Sequence, residues 1–221
     1  MIVKVCGITN MEDALAAAEA GASAIGFNFY PKSPRYISRN EAAMLAGQLP
    51  RHVWRVGVFV NERPDVVLDI ALHVPLDVVQ IHGRTKWPAG VRVWKALSVG
   101  PDFQREELYE YSVEAFLLDA PSGVRYGGTG RTYDWARVAG LPGKIVLAGG
   151  LDELNVADAV RIAQPWGVDA CSRLESAPGK KDLRKMEAFI KAALGAHTEA
   201  AMAKNFKKGG KSPESDGASP C

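Results

Sequence analysis

The stretch Ile2-Val3-Lys4-Val5-Cys6-Gly7-Ile8-Thr9-Asn10 decides the fold. Its first five residues form an apolar, β-branched run ending in a thiol, and the chain then breaks into turn residues. Asn10 and Asp13 stand ahead of Ala14-Leu15-Ala16-Ala17-Ala18, where they signal a helix start, and Gly21 is a fitting stop. A strand running straight into a helix is the opening of a parallel α/β fold. A doubly wound sheet usually carries a GxGxxG fingerprint at this point, and Cys6 to Asn10 does not supply one.

Seven further runs of the same kind follow: 23–28, 54–60, 77–81, 91–96, 115–119, 144–148 and 167–171. Most are too continuously apolar for half-exposed antiparallel strands and suit parallel strands covered on both faces. Helix signals lie between them. Ser38 and Glu41 make a capping box ahead of Ala42, Asn61 and Pro64 open 65–71, Asp152 and Asn155 open 156–163, and a last helix spans about 183–194. Eight alternations of strand and helix in about 195 residues predict an α/β chain folded as a (β/α)8 TIM barrel, on the short side for that architecture.

The barrel is expected over residues 1–195, as a single domain. From 196 to 221 the composition turns to Gly, Ser and Lys, and a flexible tail without a core is expected there. Of the 221 residues, 47% are hydrophobic and 24% charged, which is enough apolar material for one sizeable core. The net charge of +2 gives little electrostatic support for nucleic-acid binding. Charged residues interrupt every apolar run before membrane-spanning length. Three cysteines, Cys6, Cys171 and Cys221, are too few and too widely spaced for a disulfide framework, and no Cys/His cluster suggests a metal. A soluble protein of the cytoplasm fits best, with no nucleic-acid or membrane partner, as a monomer or homodimer.

In a barrel, chemistry belongs to the loops after the strands' C-terminal ends. Those ends hold Cys6 after the first strand, Arg35 in the loop after the second, Gln80 and His82 at the fourth and Asp119 at the sixth. Gly127-Gly128-Thr129-Gly130 follow the sixth, Gly149-Gly150 the seventh, and Asp169-Ala170-Cys171-Ser172 close the eighth. Each has an ordinary structural explanation: a buried cysteine packs as a small hydrophobe, a loop arginine is usually solvated, and glycines permit tight turns. Together they share one face. Glycine-rich turns there expose N–H groups suited to a phosphate. Cys6 and Asp119 leave strands on opposite sides, an arrangement suited to a base and an acid acting at two carbons of one small molecule. Arg35 can hold a carboxylate bidentately.

Lys4-Val5-Cys6-Gly7-Ile8-Thr9-Asn10, Gly26 to Tyr36, Val79 to Gly83, Leu117-Leu118-Asp119, Gly127 to Trp135 and Leu147 to Leu151 resemble, in order, the motifs of the phosphoribosylanthranilate isomerases of tryptophan biosynthesis. The resemblance runs from residue 2 to about 194. It implies a cofactor-free Amadori rearrangement of a phosphorylated small-molecule substrate, with Asp119 as acid and Cys6 as base. By the same resemblance, Arg35 binds the anthranilate carboxylate and Gln80, His82 and Asp169 orient the substrate. Gly128, Gly130, Gly149, Gly150 and Ser172 fall where the family grips phosphate.

After the eighth strand the family pattern reads roughly Asp-Val-Ser-Ser-Gly-Val-Glu, whereas this chain has Asp169-Ala170-Cys171-Ser172-Arg173-Leu174-Glu175. Arg173 at a left-handed glycine position is expected to cost about 1 kcal/mol or more; it either rearranges the loop or adds a phosphate contact. Cys171 is expected near Cys6, since first and last strands adjoin in a closed barrel, and a disulfide between them would silence the base. Three rivals stand beside this reading. One is another isomerase of the same type, acting on the histidine-pathway aminoaldose or on both substrates, in which a carboxylate generally replaces the thiol. The second is a catalytically silent barrel. The third is a Schiff-base aldolase using Lys95, although Lys95 fits better as an inward-facing polar residue of the barrel.

Overall fold

The computed structural model describes residues 1–121 and 132–209. Eight strands close into one parallel barrel: β1 (Ile2–Cys6), β2 (Ala24–Asn28), β3 (Trp54–Val60), β4 (Val78–His82), β5 (Val93–Ser98), β6 (Ala115–Asp119), β7 (Ile145–Leu147) and β8 (Gly167–Ala170). Each pairs with its sequence neighbours, and β1 meets β8 in a register that sets Lys4 opposite Asp169 and Val5 opposite Ala170. Every expected strand is present.

Alternation along the strands divides the core in two. Ala24, Val56, Val78, Trp94, Ala96, Leu117, Val146 and Ala148 fill the barrel interior. The residues between them, among them Val3, Val5, Ile81, Val93, Phe116, Leu118 and Val168, pack outward with the surrounding elements. A period of two therefore sorts each strand into a lumen side and an outer side. Trp54, Trp94 and Trp166 meet with ring centroids 5.8 to 6.2 Å apart among these interior residues.

Five α-helices cover the barrel among the described residues: α1 (Met11–Glu19), α2 (Arg39–Gln48), α3 (Pro64–His73), α4 (Val156–Ala163) and α5 (Leu183–Gly209). Asn10 caps α1 by accepting the Asp13 N–H at 2.9 Å, and the Ser38/Glu41 capping box of α2 is complete. The α3 cap is Arg63, while Asn61 instead takes a left-handed φ of 50° in the preceding turn. The expected eightfold alternation is not met after β4, β5 and β6. Residues 83–92 contain no helix, and 3-10 turns Arg105–Glu110 and Trp135–Val138 take the next two places. Pro88 and Gly90 in so short a connection oppose helix formation.

The last helix also differs from expectation. It continues past Leu194 to Gly209, so 196–209, assigned to the flexible tail, are helical. No Gly or Pro interrupts Ala196 to Lys208, and alanines and lysines favour propagation. Ala196 is buried, and Glu199 ties the helix to Arg161 of α4 at 3.1 Å. Residues 210–221, with Cys221, lie outside the described residues. Among those described, no helix is long and apolar enough to cross a membrane.

Candidate active site

Lys4 and Cys6 are two residues apart on β1, so both side chains face the lumen. Lys4 is fully buried, with its Nζ 2.9 Å from Asp169 Oδ1, its register partner on β8. Burial opposes its charge, but the Asp169 carboxylate and the Cys6 sulfur more than compensate and keep the ammonium protonated. Burial pushes the Asp169 carboxyl up to about 7, with Lys4 pulling the other way. The 2.9 Å contact is that of an ion pair. Reading residue types at strand ends overlooks Lys4. The available signal was a lone cation inside an apolar strand, on the same side as the thiol.

Above this pair, the Cys6 and Cys171 thiols line the same cavity. The influence of Cys171 is the largest one lowering the Cys6 thiol well below its ordinary range. Burial opposes it, and the charges of Lys4 and Lys181 assist. Cys171 is correspondingly raised by Cys6 and by burial. Lys181 lies on a small antiparallel hairpin formed by β9 (Glu175–Ala177) and β10 (Lys180–Lys181). Its Nζ donates to the Cys171 carbonyl at 3.2 Å and to Glu175 Oε1 at 3.0 Å. Glu175 in turn accepts two bonds from Arg35, Nε and Nη2 each at 2.7 Å. Gly7 makes this closeness possible: its φ is +72°, and a Cβ there would sit 2.7 Å from Arg35 Cδ and 2.9 Å from Cys171 Sγ. Neither Glu175 nor Lys181 stood out as a site residue, because the hairpin is too short for a period. The turn signal was Pro178-Gly179.

Asp119 closes the opposite wall at the end of β6. Burial pushes its carboxyl up to about 6, the negative charge of Cys6 adds to this, and the Ala120 N–H at 2.8 Å works against it. Gly149, at φ +92°, allows the approach, since a Cβ would lie 2.5 Å from Ala120 N. His82 is pushed down to about 3, by burial first and then by the charges of Lys4 and Lys95, and is neutral. The Gln80 amide donates to His82 Nε2 at 2.9 Å, which leaves the His82 proton on Nδ1 and Gln80 Oε1 buried without a partner among the described residues.

One cavity, of about 670 Å³ including its open mouth, collects these groups. Cys6, Asp119, Arg35, Gln80, His82, Asp169, Gly149, Gly150, Ser172 and Arg173 all line it. Gly128 and Gly130 lie outside the described residues. Three expectations change. Arg173 does not occupy a left-handed position; it sits in the 3-10 turn Ser172–Leu174, with Nη1 3.5 Å from Asp152 Oδ2, so the expected backbone cost is absent. Arg35 does not present its free fork to the cavity; Glu175 engages its Nε and Nη2, leaving Nη1 as the unengaged edge. Lys95 faces outward: Trp94 and Ala96 on either side fill the lumen, whereas its register partners Ile81 and Phe116 belong to the outer core. Its ammonium donates to the Gly83 carbonyl and stands 5.2 Å from the Tyr111 ring. Strand alternation thus removes the one Schiff-base candidate from the lumen.

The family model for N-(5'-phosphoribosyl)anthranilate (PRA) isomerase matches residues 3–192. The chain belongs to the PRA isomerase family. Among its relatives is the N-(5'-phosphoribosyl)anthranilate isomerase of Solibacter usitatus, 54% identical over 202 residues, covering 89% of this chain and all of the relative. That of Thermotoga maritima is 44% identical over 204 residues, covering 87% and 98%. The crystal structure of the Thermotoga maritima PRA isomerase superposes with a TM-score of 0.81 at 42% identity, over 88% of this chain and all of that one. A PRA isomerase solved with reduced 1-(o-carboxyphenylamino)-1-deoxyribulose 5-phosphate superposes with a TM-score of 0.77 at 40% identity, over 88% and 100%. The match covers the whole barrel and both strands that carry Cys6 and Asp119. Like its relatives, this member of the PRA isomerase family is an enzyme.

Proposed function

We propose that the cavity converts N-(5-phosphoribosyl)anthranilate to its 1-deoxyribulose isomer by an Amadori rearrangement, with Asp119 as acid and Cys6 as base. The observation that carries this reading is placement: Cys6 at the end of β1 and Asp119 at the end of β6 line one cavity, where the thiol is lowered and the carboxyl raised, as a base and an acid need. Asp119 gives its proton to the furanose ring oxygen as the bond from that oxygen to C1 breaks, leaving an iminium. The positive charge acidifies the C2 proton, which Cys6 takes as thiolate. The electron pair moves into the C1–C2 bond and neutralises the nitrogen. The enolamine then gains a proton at C1 and loses its hydroxyl proton to become the ketone.

Arg35 Nη1 meets the anthranilate carboxylate, with Glu175 fixing the plane of the guanidinium. Neutral His82, the open Gln80 Oε1 and Asp169 orient the sugar hydroxyls. Gly149, Gly150, Ser172 and Arg173 hold the phosphate on the β7 and β8 side, with Gly128 and Gly130 assigned to the same task. The ligand named in the related complex is a phosphorylated, carboxyphenylamino-substituted sugar, and it supports a cavity with these three kinds of partner.

The test follows the fluorescence of freshly generated N-(5-phosphoribosyl)anthranilate. The wild type removes it faster than its spontaneous breakdown, and Asp119→Asn loses roughly 10²–10⁴-fold in kcat. A folded wild type that leaves the breakdown rate unchanged sinks the reading. Asp119→Asn also separates lost chemistry from lost folding. An aspartate whose folded pKa of about 6 exceeds its unfolded value contributes nothing below about pH 4 and weakens the fold as pH rises through 6. The variant is therefore more stable than wild type at pH 8, by about 1–3 kcal/mol, and no more stable near pH 4. Thermal unfolding at the two pH values measures this.

Arg173 gives a third expected outcome. With its guanidinium at the rim of the phosphate side and no backbone strain to relieve, Arg173→Gly raises KM several-fold and leaves kcat nearly unchanged. An unchanged or lower KM removes Arg173 from the phosphate site.

A further inference from the structure

The reading of Cys6 as base leaves the second thiol unexplained. Cys171 stands where the family pattern has serine, so the pair is not implied by membership of the family. The β1–β8 ladder runs from Lys4 opposite Asp169 to Val5 opposite Ala170 and ends there, with Cys6 and Cys171 the next residue on each chain. Cys171 Sγ stands 2.9 Å from where a Cβ on Gly7, the residue after Cys6, would lie, which puts the second thiol beside the first within reach of a disulfide. Both thiols are free and both line the same cavity, so a small reagent reaches them from solvent. Lys181 Nζ lies 3.9 Å from Cys171 Sγ.

We propose that Cys6 and Cys171 form a reversible oxidative modification site for small peroxides, in which a disulfide removes the catalytic base and a dithiol restores it. The electrons balance in two steps. The Cys6 thiolate attacks one oxygen of hydrogen peroxide, the O–O bond breaks, and Cys6 becomes a sulfenic acid while the departing hydroxide takes a proton to become water. Cys171, beside the Lys181 ammonium, then attacks the Cys6 sulfur while its own proton passes to the departing hydroxide, so the S–S bond forms and the sulfenic oxygen leaves as a second water. Two thiols are oxidised and one peroxide is reduced. Cys171 is the resolving thiol that keeps Cys6 from proceeding to the irreversible sulfinic state.

The experiment treats the full-length Cys221→Ser protein with stoichiometric hydrogen peroxide and follows intact mass without reductant beside isomerase activity. The expected result is loss of two hydrogens together with most of the activity, and return of both on adding dithiothreitol. Adding Cys171→Ser to this background abolishes the mass loss and yields addition of one oxygen; with excess peroxide it adds two, and inactivation, relative to that variant's own reduced activity, becomes resistant to dithiothreitol. Oxygen addition without hydrogen loss in the parent, or equal recovery of the Cys171→Ser variant and the parent after excess peroxide, overturns the proposal. The proposal rests on Cys6 being the base, and the two readouts separate the ideas. A disulfide that spares activity sinks the base and with it the switch. A missing disulfide beside normal catalysis sinks the modification site alone.

Discussion

Cys6→Ser is expected to lower kcat by roughly 10²–10⁴-fold while leaving KM close to wild type. In the proposed mechanism the thiol takes the C2 proton and holds neither the phosphate nor the carboxylate, so substrate binding is expected to survive its loss. What disappears is an ionisable base. Sulfur is held well below its ordinary range chiefly by the influence of Cys171, which acts against burial with Lys4 and Lys181 assisting. A serine hydroxyl in the same place does not ionise under any condition the fold survives. The pH profile carries the same information: in wild type, the rate on the acid side rises as the thiol gives up its proton, and that limb is absent from the residual activity of Cys6→Ser. Alkylation by iodoacetamide offers a second check, because a lowered thiol in an open cavity reacts quickly near neutral pH and a bound product analogue protects it. Residual activity above a tenth of wild type with the acid limb intact would transfer the base to another group.

Lys4→Met is expected to destabilise the barrel by about 3–5 kcal/mol, since removing one partner of a buried ion pair strands the other. For a domain of this size that is a fall in Tm of roughly 6–20 °C. Lys4 Nζ and Asp169 Oδ1 are 2.9 Å apart, with no exposure of the lysine side chain. The loss depends on pH. With Lys4 gone, Asp169 can take up a proton, and burial already favours its neutral form. The deficit is therefore smaller at pH 6 than at pH 8. Lys4→Met combined with Asp169→Leu removes both charges and recovers part of the stability, as buried pairs exchanged for apolar residues commonly do. A Lys4→Met deficit that is the same at both pH values, or a double variant no better than the single, would mean that packing and not charge sets the cost. The substitution also removes one of the cations beside Cys6, so the thiol moves up and the acid limb of any remaining activity moves with it.

The closed barrel follows from features legible along the chain. Eight apolar runs recur at intervals that leave room for crossovers, each run too apolar for a half-exposed strand, and all eight are strands of one parallel barrel. Strand ends are a topological fact once the barrel is granted, which is why Cys6, Asp119, Arg35, Gln80, His82, Asp169 and Ser172 were locatable before any coordinate. Connections were less legible. Helix periodicity needs length, and 83–92 and the 3-10 turns after β5 and β6 are too short to display it. The length of α5 was missed for another reason: glycine, serine and lysine at the end of the chain drew the boundary inward, although Ala196 to Lys208 contains no helix breaker.

The chain by itself determined the barrel, the face on which chemistry belongs and the residue types gathered there, because period-two burial and strand order are local properties. Only tertiary structure decided how those residues interact. Lys4 pairs with Asp169 across 165 positions, and Arg35 reaches Glu175 across 140. Cys171 comes to the cavity of Cys6 because the last strand returns to the first. Ionisation depends on which charges stand within a few ångströms and how far water is excluded, and closure of the barrel sets both.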